Sequence, residues 1–218
     1  MQLMGKGSEL AEIVLYGIMR QKYGALPVVP KIFYKQNTQD NAKGADSVHI
    51  VVSPDGDFTL WFGEAKFYNS IEDARLNSIV TSVKNALSTD KLRKENSIIV
   101  NLAELDDLDI PEQVRSKIKA ALANKISIDQ IKTLINVPIL LLHECAITAA
   151  ATGLHEKYIS DIRQFHQDRA VAYFSRQASG LQGIYRYADV TFHLILFPVP
   201  AKEPLVDQFV KAASHYKG

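Results

Sequence analysis

The chain has 218 residues, 47% hydrophobic and 22% charged, which suits one large globular domain or one domain with an appendage. Its 25 basic and 24 acidic residues leave a net charge of +1, which excludes grip on nucleic acid by overall basicity. Such a contact needs a local patch, or a partner that delivers the substrate.

The single cysteine, Cys145, excludes an internal disulfide and suits a reducing cytoplasm. Lys6, Glu9 and Glu12 follow Met1 closely with no apolar segment between them, so no secretory leader is expected. The longest apolar stretch, residues 137–154, carries His143 and Glu144 and is a poor membrane span. A cytoplasmic protein with no membrane partner is expected.

Residues 8–23 predict the first helix. Ser8 is placed to cap it, Glu9 and Glu12 suit the positive end of its dipole, and Gly24 stops it. Leu10, Ile13, Val14 and Ile18 give it an apolar face. Residues 28–35 predict a strand, which Pro27 and Pro30 confine to an edge or to its first positions. A polar loop then leads to Lys43, Gly44, Ala45 and Asp46.

Residues 44–68 predict a β-hairpin, two runs of β-branched and aromatic residues around Pro54-Asp55-Gly56-Asp57. Counting from the turn puts Asp46 nearly opposite Glu64, at the open end. Strand alternation puts Glu64 and Lys66 on one face and Ala65 on the other, and His49 opposite Asp46. Two carboxylates and one ammonium therefore converge at a sheet edge. That is the arrangement a magnesium-dependent phosphodiesterase needs. Mg²⁺ takes one or two carboxylates plus waters and phosphate oxygens, which Asp46 and Glu64 can supply with the Ala65 carbonyl as a third ligand. Lys66 is placed to orient the attacking water or to stabilise charge in the transition state. Solvated charges on an exposed hairpin are the plain alternative; the apolar strands around them, where unpartnered charge is costly, argue against it.

Residues 71–94 predict a second helix, capped by Asn69 or Ser70, and its basic end makes Lys84 a candidate phosphate contact. Lys43 is another, in the loop before Asp46; for both, plain solvation is the rival reading. A strand over 97–102 is expected to continue the sheet in parallel. The acidic loop holding Glu104, Asp106, Asp107 and Asp109 lacks the glycine-turn spacing of a calcium loop and reads as a linker. Short helices follow at 111–124 and 128–135, then a buried strand at 137–145, a helix at 154–176, a strand at 189–199 and a closing helix at 202–216. His143-Glu144 has no histidine at position 147 and so is no zinc-protease motif, and no Gly-x-Ser-x-Gly elbow is present.

Asp46 followed by Glu64-Ala65-Lys66 resembles the motif of the PD-(D/E)xK nuclease superfamily, with Ala45 where the motif carries proline. Lys43-Gly44-Ala45-Asp46 and Gly63-Glu64-Ala65-Lys66-Phe67-Tyr68 are more closely similar to the nuclease subunit of the Hachiman anti-phage defence system, a HamA-like protein. The resemblance implies an α/β fold: a restriction-endonuclease-like core with a mixed central sheet flanked by helices over 1–103, and additional α/β elements over 104–218 packed on the same domain. It implies a metal-dependent nuclease acting on DNA, with Mg²⁺ as cofactor, Mn²⁺ as substitute, and a helicase subunit of the same system as partner. A glutamate of the first helix points into the metal site in the superfamily; Glu9 and Glu12 are the candidates, Glu12 first. The alternative is a non-catalytic nuclease-fold subunit that binds a partner protein or nucleic acid, for which Asp46, Glu64 and Lys66 need not stay together.

Overall fold

The computed structural model describes residues 7–29, 46–88, 92, 105–106, 108–121 and 128–215. The first helix, α1 (Ser8–Tyr23), has the expected bounds. Its N-cap is Gly7 in the left-handed region, and Ser8 is the first helical residue, so the serine cap is not used. Gly24 ends the helix at φ 59, a conformation that costs glycine least, and its N–H closes on the Met19 carbonyl. Ala11, Leu15 and Met19 are buried on one stripe, with Glu12 beside them.

The sheet has five strands in sequential order, β1 (Leu26–Val29), β2 (Ser47–Val52), β3 (Phe58–Tyr68), β4 (Ile135–Glu144) and β5 (Thr191–Val199). β1, β2 and β3 pair antiparallel, while β3, β4 and β5 pair parallel. β1 lies at an edge, where its proline is tolerated. The hairpin turn is closed by Gly56 N–H on the Ser53 carbonyl (3.0 Å) and Ser53 N–H on the Asp57 carbonyl (2.8 Å).

The parallel neighbour of β3 is β4, so the position expected for a strand at 97–102 is filled by residues from further along the chain. Residues 97–102 themselves lie outside the described residues. Strands from both sides of the 103/104 division thus share one sheet. Pro138 sits inside β4, a central strand, where it has no N–H to give. The β3–β4 pairing lapses between Trp61↔Asn136 and Glu64↔Ile139 and resumes at Glu64. β5 lies at the other edge, where Pro198 is tolerated, and runs to Val199 as expected.

The faces of β3 divide the core. Trp61, Ala65 and Phe67 pack with α1, Leu140 and Leu142, and with Leu205 and Val206 of α7 (Lys202–His215). Leu60 and Phe62 pack with Leu76, Ile79, Val80 and Val83 of α2 (Asp73–Ala86), with Ile118 of α3 (Glu112–Ala121), and with Tyr173 and Leu181 of the later helix. α2 is shorter than the expected 71–94 and is capped at Glu72, not Asn69 or Ser70.

A short helix α4 (Ile128–Ile131) and a 3-10 turn lead into β4, and α5 (Ala146–Ala149) follows it. α6 (Glu156–Leu181) is capped by His155, whose Nδ1 accepts from Tyr158 N–H at 3.1 Å, and it outruns the expected 154–176. Its first half is tied to the sheet by histidines. His143 Nδ1 donates to the Glu144 carbonyl (3.0 Å), so neutral His143 must accept at Nε2 from His166 Nε2–H (3.0 Å). Farther along, Arg169 and Arg176 hold the two oxygens of Asp73 on α2, at 3.0 and 2.5 Å. No helix among the described residues is long and apolar enough to cross a membrane.

Candidate active site

The hairpin register delivers the first two groups. Ser47 pairs with Gly63, and Asp46 N–H donates to the Gly63 carbonyl at 2.7 Å, so Asp46 stands opposite Glu64 as the count from the turn requires. Asp46 Oδ2 accepts from Ala65 N–H (2.9 Å) and from Lys66 Nζ (3.0 Å). Lys66 Nζ also lies 2.6 Å from Glu64 Oε1, which accepts as well from the Ser82 hydroxyl of α2. The ammonium therefore bridges both carboxylates.

Exposure sets the direction of access. The Glu64 side chain is 6% exposed, while those of Asp46 and Lys66 are 21% and 29% exposed. The cluster is closed behind Glu64 and opens past Asp46 and Lys66, at the C-terminal end of β3.

Burial raises the Glu64 carboxyl above the ordinary glutamate value, and the Asp46 charge adds to it; Lys66 and Ser82 oppose the rise. For Lys66, burial acts to lower the ammonium, but the charges of Glu64 and Asp46 and their hydrogen bonds outweigh it. Its pKa ends above the ordinary lysine value. Lys66 is thus a fixed cation at neutral pH. Tyr173 of α6 is fully buried, its hydroxyl has no hydrogen-bond partner among the described residues, and burial followed by the Glu64 charge pushes its phenol upward.

Glu12 is placed differently. Gly7 lies against Phe67, and a Cβ on Gly63 would come 2.7 Å from Leu15 Cδ2. The helix between Gly7 and Leu15 rises about 12 Å, and the strand between Phe67 and Gly63 about 13 Å. α1 therefore runs antiparallel along β3, with Glu12 buried level with Ala65. That is the sheet face opposite Glu64 and Lys66. Among the described residues no three His, Cys, Asp or Glu gather to hold an ion, so Glu12 does not complete a set with Asp46 and Glu64. Lys84 is exposed, two residues and about 200° round α2 from Ser82, and so points away from Glu64. Lys43 lies outside the described residues.

A family model described as HamA matches residues 4–213. The chain belongs to the HamA family. Membership implies a role in Hachiman anti-phage defence. No curated protein matches the chain.

Of the two polar neighbours of Glu64 in this HamA-family chain, the sequence offered Ser82, with Asn77 and Ser78, as a residue that could face the site, with plain solvation as the rival, and did not single out Tyr173. Ser82 carried a readable signal: it falls on the side of α2 marked by Ile79, Val80 and Val83, where a serine needs a partner. Tyr173 carried none, because its approach to Glu64 depends on how α6 crosses α2.

Proposed function

We propose that this chain is a metal-dependent nuclease of the PD-(D/E)xK type that hydrolyses phosphodiester bonds in DNA as an effector of Hachiman defence. The observation that carries the reading is the bridging of Asp46 and Glu64 by one Lys66 ammonium, at 3.0 and 2.6 Å. Two carboxylates, one just before β2 and one within β3, are spaced to embrace a single cation, and their hard oxygens suit Mg²⁺, with Mn²⁺ as its substitute.

In this reading Asp46, Glu64 and the Ala65 carbonyl hold the metal. The chemistry a bound Mg²⁺ supplies is acidification of water and neutralisation of phosphate charge. The protein's own residues do the rest. Ser82 fixes the orientation of Glu64. Lys66 keeps a positive charge beside the phosphoryl oxygens as their charge grows, and positions the attacking water. The water oxygen bonds to phosphorus as the bond from phosphorus to the ester oxygen breaks; the proton shed by the water passes to solvent and the leaving oxygen takes one from solvent, on the side where Asp46 and Lys66 are exposed. Glu12, buried on the other face of β3 level with Ala65, is not a third ligand in this reading.

The partner in this reading is the helicase subunit of the same system, which restrains cleavage until DNA is engaged. A net charge of +1 accords with a nuclease whose substrate is delivered to it.

The test is cleavage of plasmid, linear duplex and single-stranded DNA with Mg²⁺ or Mn²⁺, comparing the parent with Glu64→Ala purified identically. Loss in the variant is expected. Equal cleavage by both would remove the metal from this hairpin.

A further inference from the structure

The side of the sheet that carries the carboxylates holds one more cation poised at their exit. Tyr68 ends β3, two residues after Lys66 and on the same face. Its phenol is raised chiefly by burial and also feels the charges of Lys66, Glu64, Arg75 and Asp46. Arg75, in the first turn of α2, carries its guanidinium carbon 5.4 Å from the Tyr68 ring centroid. Arg75 is exposed and makes no ion pair among the described residues.

Its neighbours are committed elsewhere. Lys66 is held between Asp46 and Glu64, and Arg169 and Arg176 are both held by Asp73. Arg115, Lys117 and Lys119 of α3 are tied to Glu112, Asp57 and Asp106 around the far, turn end of the hairpin. A guanidinium lying over an aromatic face has one plane occupied and its edge donors turned outward. Those donors match two oxygens of a phosphate. Two acids share the turn, but the charge of Asp73 is answered by two arginines, leaving Glu72 as the opposing one.

We propose that Arg75, steadied on the Tyr68 ring, is a substrate-contact residue that binds the backbone phosphate next to the scissile one. The inference rests on the nuclease reading and adds the surface along which the strand leaves the site. It also assigns Tyr68 a purpose at the end of β3: a platform that fixes Arg75 without consuming its hydrogen-bond donors.

The experiment reads binding apart from cleavage. Labelled single-stranded and duplex oligonucleotides are titrated with Glu64→Ala and with Glu64→Ala carrying Arg75→Ala, Arg75→Lys or Arg20→Ala, across a salt series. Arg75→Ala is expected to weaken binding at least tenfold and to flatten the salt dependence by about one phosphate contact. Arg75→Lys, which keeps the charge and loses the fork, should fall between. Arg20→Ala, exposed on α1, should leave binding unchanged. In the cleaving parent, Arg75→Ala should raise KM with little change in kcat, at an unaltered melting temperature. Unchanged affinity and salt slope in Arg75→Ala would overturn the proposal, and so would the absence of any DNA binding by Glu64→Ala alone. Equal cleavage by parent and Glu64→Ala would instead strike the nuclease reading, which this binding series does not use.

Discussion

Ser82 donates its hydroxyl proton to Oε1 of Glu64, joining the middle of α2 to the centre of the candidate site. The bond holds a buried carboxylate in one rotamer, and its donor comes from a helix that packs through Ile79, Val80 and Val83. Partners of this kind typically change metal affinity about 10–100-fold when removed. Ser82→Ala should therefore weaken Mn²⁺ binding by about that factor, read by calorimetry or by the spin-resonance signal of free Mn²⁺. Ser82→Thr, which keeps the hydroxyl, should restore it. Full affinity in the alanine variant would show that Glu64 is oriented by the sheet alone.

Lys66 and Glu64 should separate by what they lose. Lys66→Ala removes the cation that bridges the carboxylates but no metal ligand. It is expected to abolish cleavage while Mn²⁺ still binds, whereas Glu64→Ala should lose both. Lys66→Ala also leaves two close carboxylates without a counter-charge, one of them buried, so its folded state should be weaker without divalent cation and recover when it is added. A Lys66→Ala chain that still cleaves would remove the lysine from the mechanism.

The hairpin that carries this site was legible in the sequence because its register is local. The turn residues fix the count, and alternation then assigns Glu64 and Lys66 to one face. The bounds of α1 were equally legible, since Gly24 is a strong stop. What lies beside β3 was not. Between β3 and β4 come α2, α3, α4 and a 3-10 turn, and no local rule says which later strand returns to the centre of the sheet. The buried strand expected at 137–145 is there as β4 despite Pro138, because the ladder lapses at that point and pairing resumes at Glu64. Glu12 was read as an acid pointing into the metal site; it is buried, but on the sheet face opposite Glu64 and Lys66, and periodicity cannot say which sheet face a helix covers.

Gly63 should be intolerant of any side chain. A Cβ there would strike Ser47 Oγ and come 2.7 Å from Leu15 Cδ2, with α1 above it and the Asp46 N–H on its carbonyl. Gly63→Ala is expected to destabilise by about 1–3 kcal/mol, the ordinary cost of overpacking a core. Cleavage should fall further than stability alone explains, because the shift is passed to Asp46. Combining it with Leu15→Ala should recover part of the stability. A Gly63→Ala chain with parental melting temperature and activity would show that α1 yields freely.

Acid should unfold this protein earlier than its carboxylates alone require. Burial lowers His49 from the ordinary 6.5 to about 4, and burial with the His143 charge lowers His166 to about 4. His143 and His193 are lowered in the same direction by burial. Each binds its proton more readily unfolded than folded. The unfolded chain therefore carries more protons between pH 6.5 and 4, and stability is lost as pH falls through that window. For His49, whose ring nitrogens have no hydrogen-bond partners among the described residues, the span from 6.5 to about 4 corresponds to roughly 3 kcal/mol. Glu64 works the other way, since its raised carboxyl keeps a proton longer when folded. Comparing His49→Leu with the parent cancels that contribution. Urea titrations at pH 7, 6, 5 and 4 should show the variant losing markedly less stability on acidification, and being the more stable of the two at the acid end. Parallel stability curves for the two proteins would mean that His49 is not the buried neutral base described here.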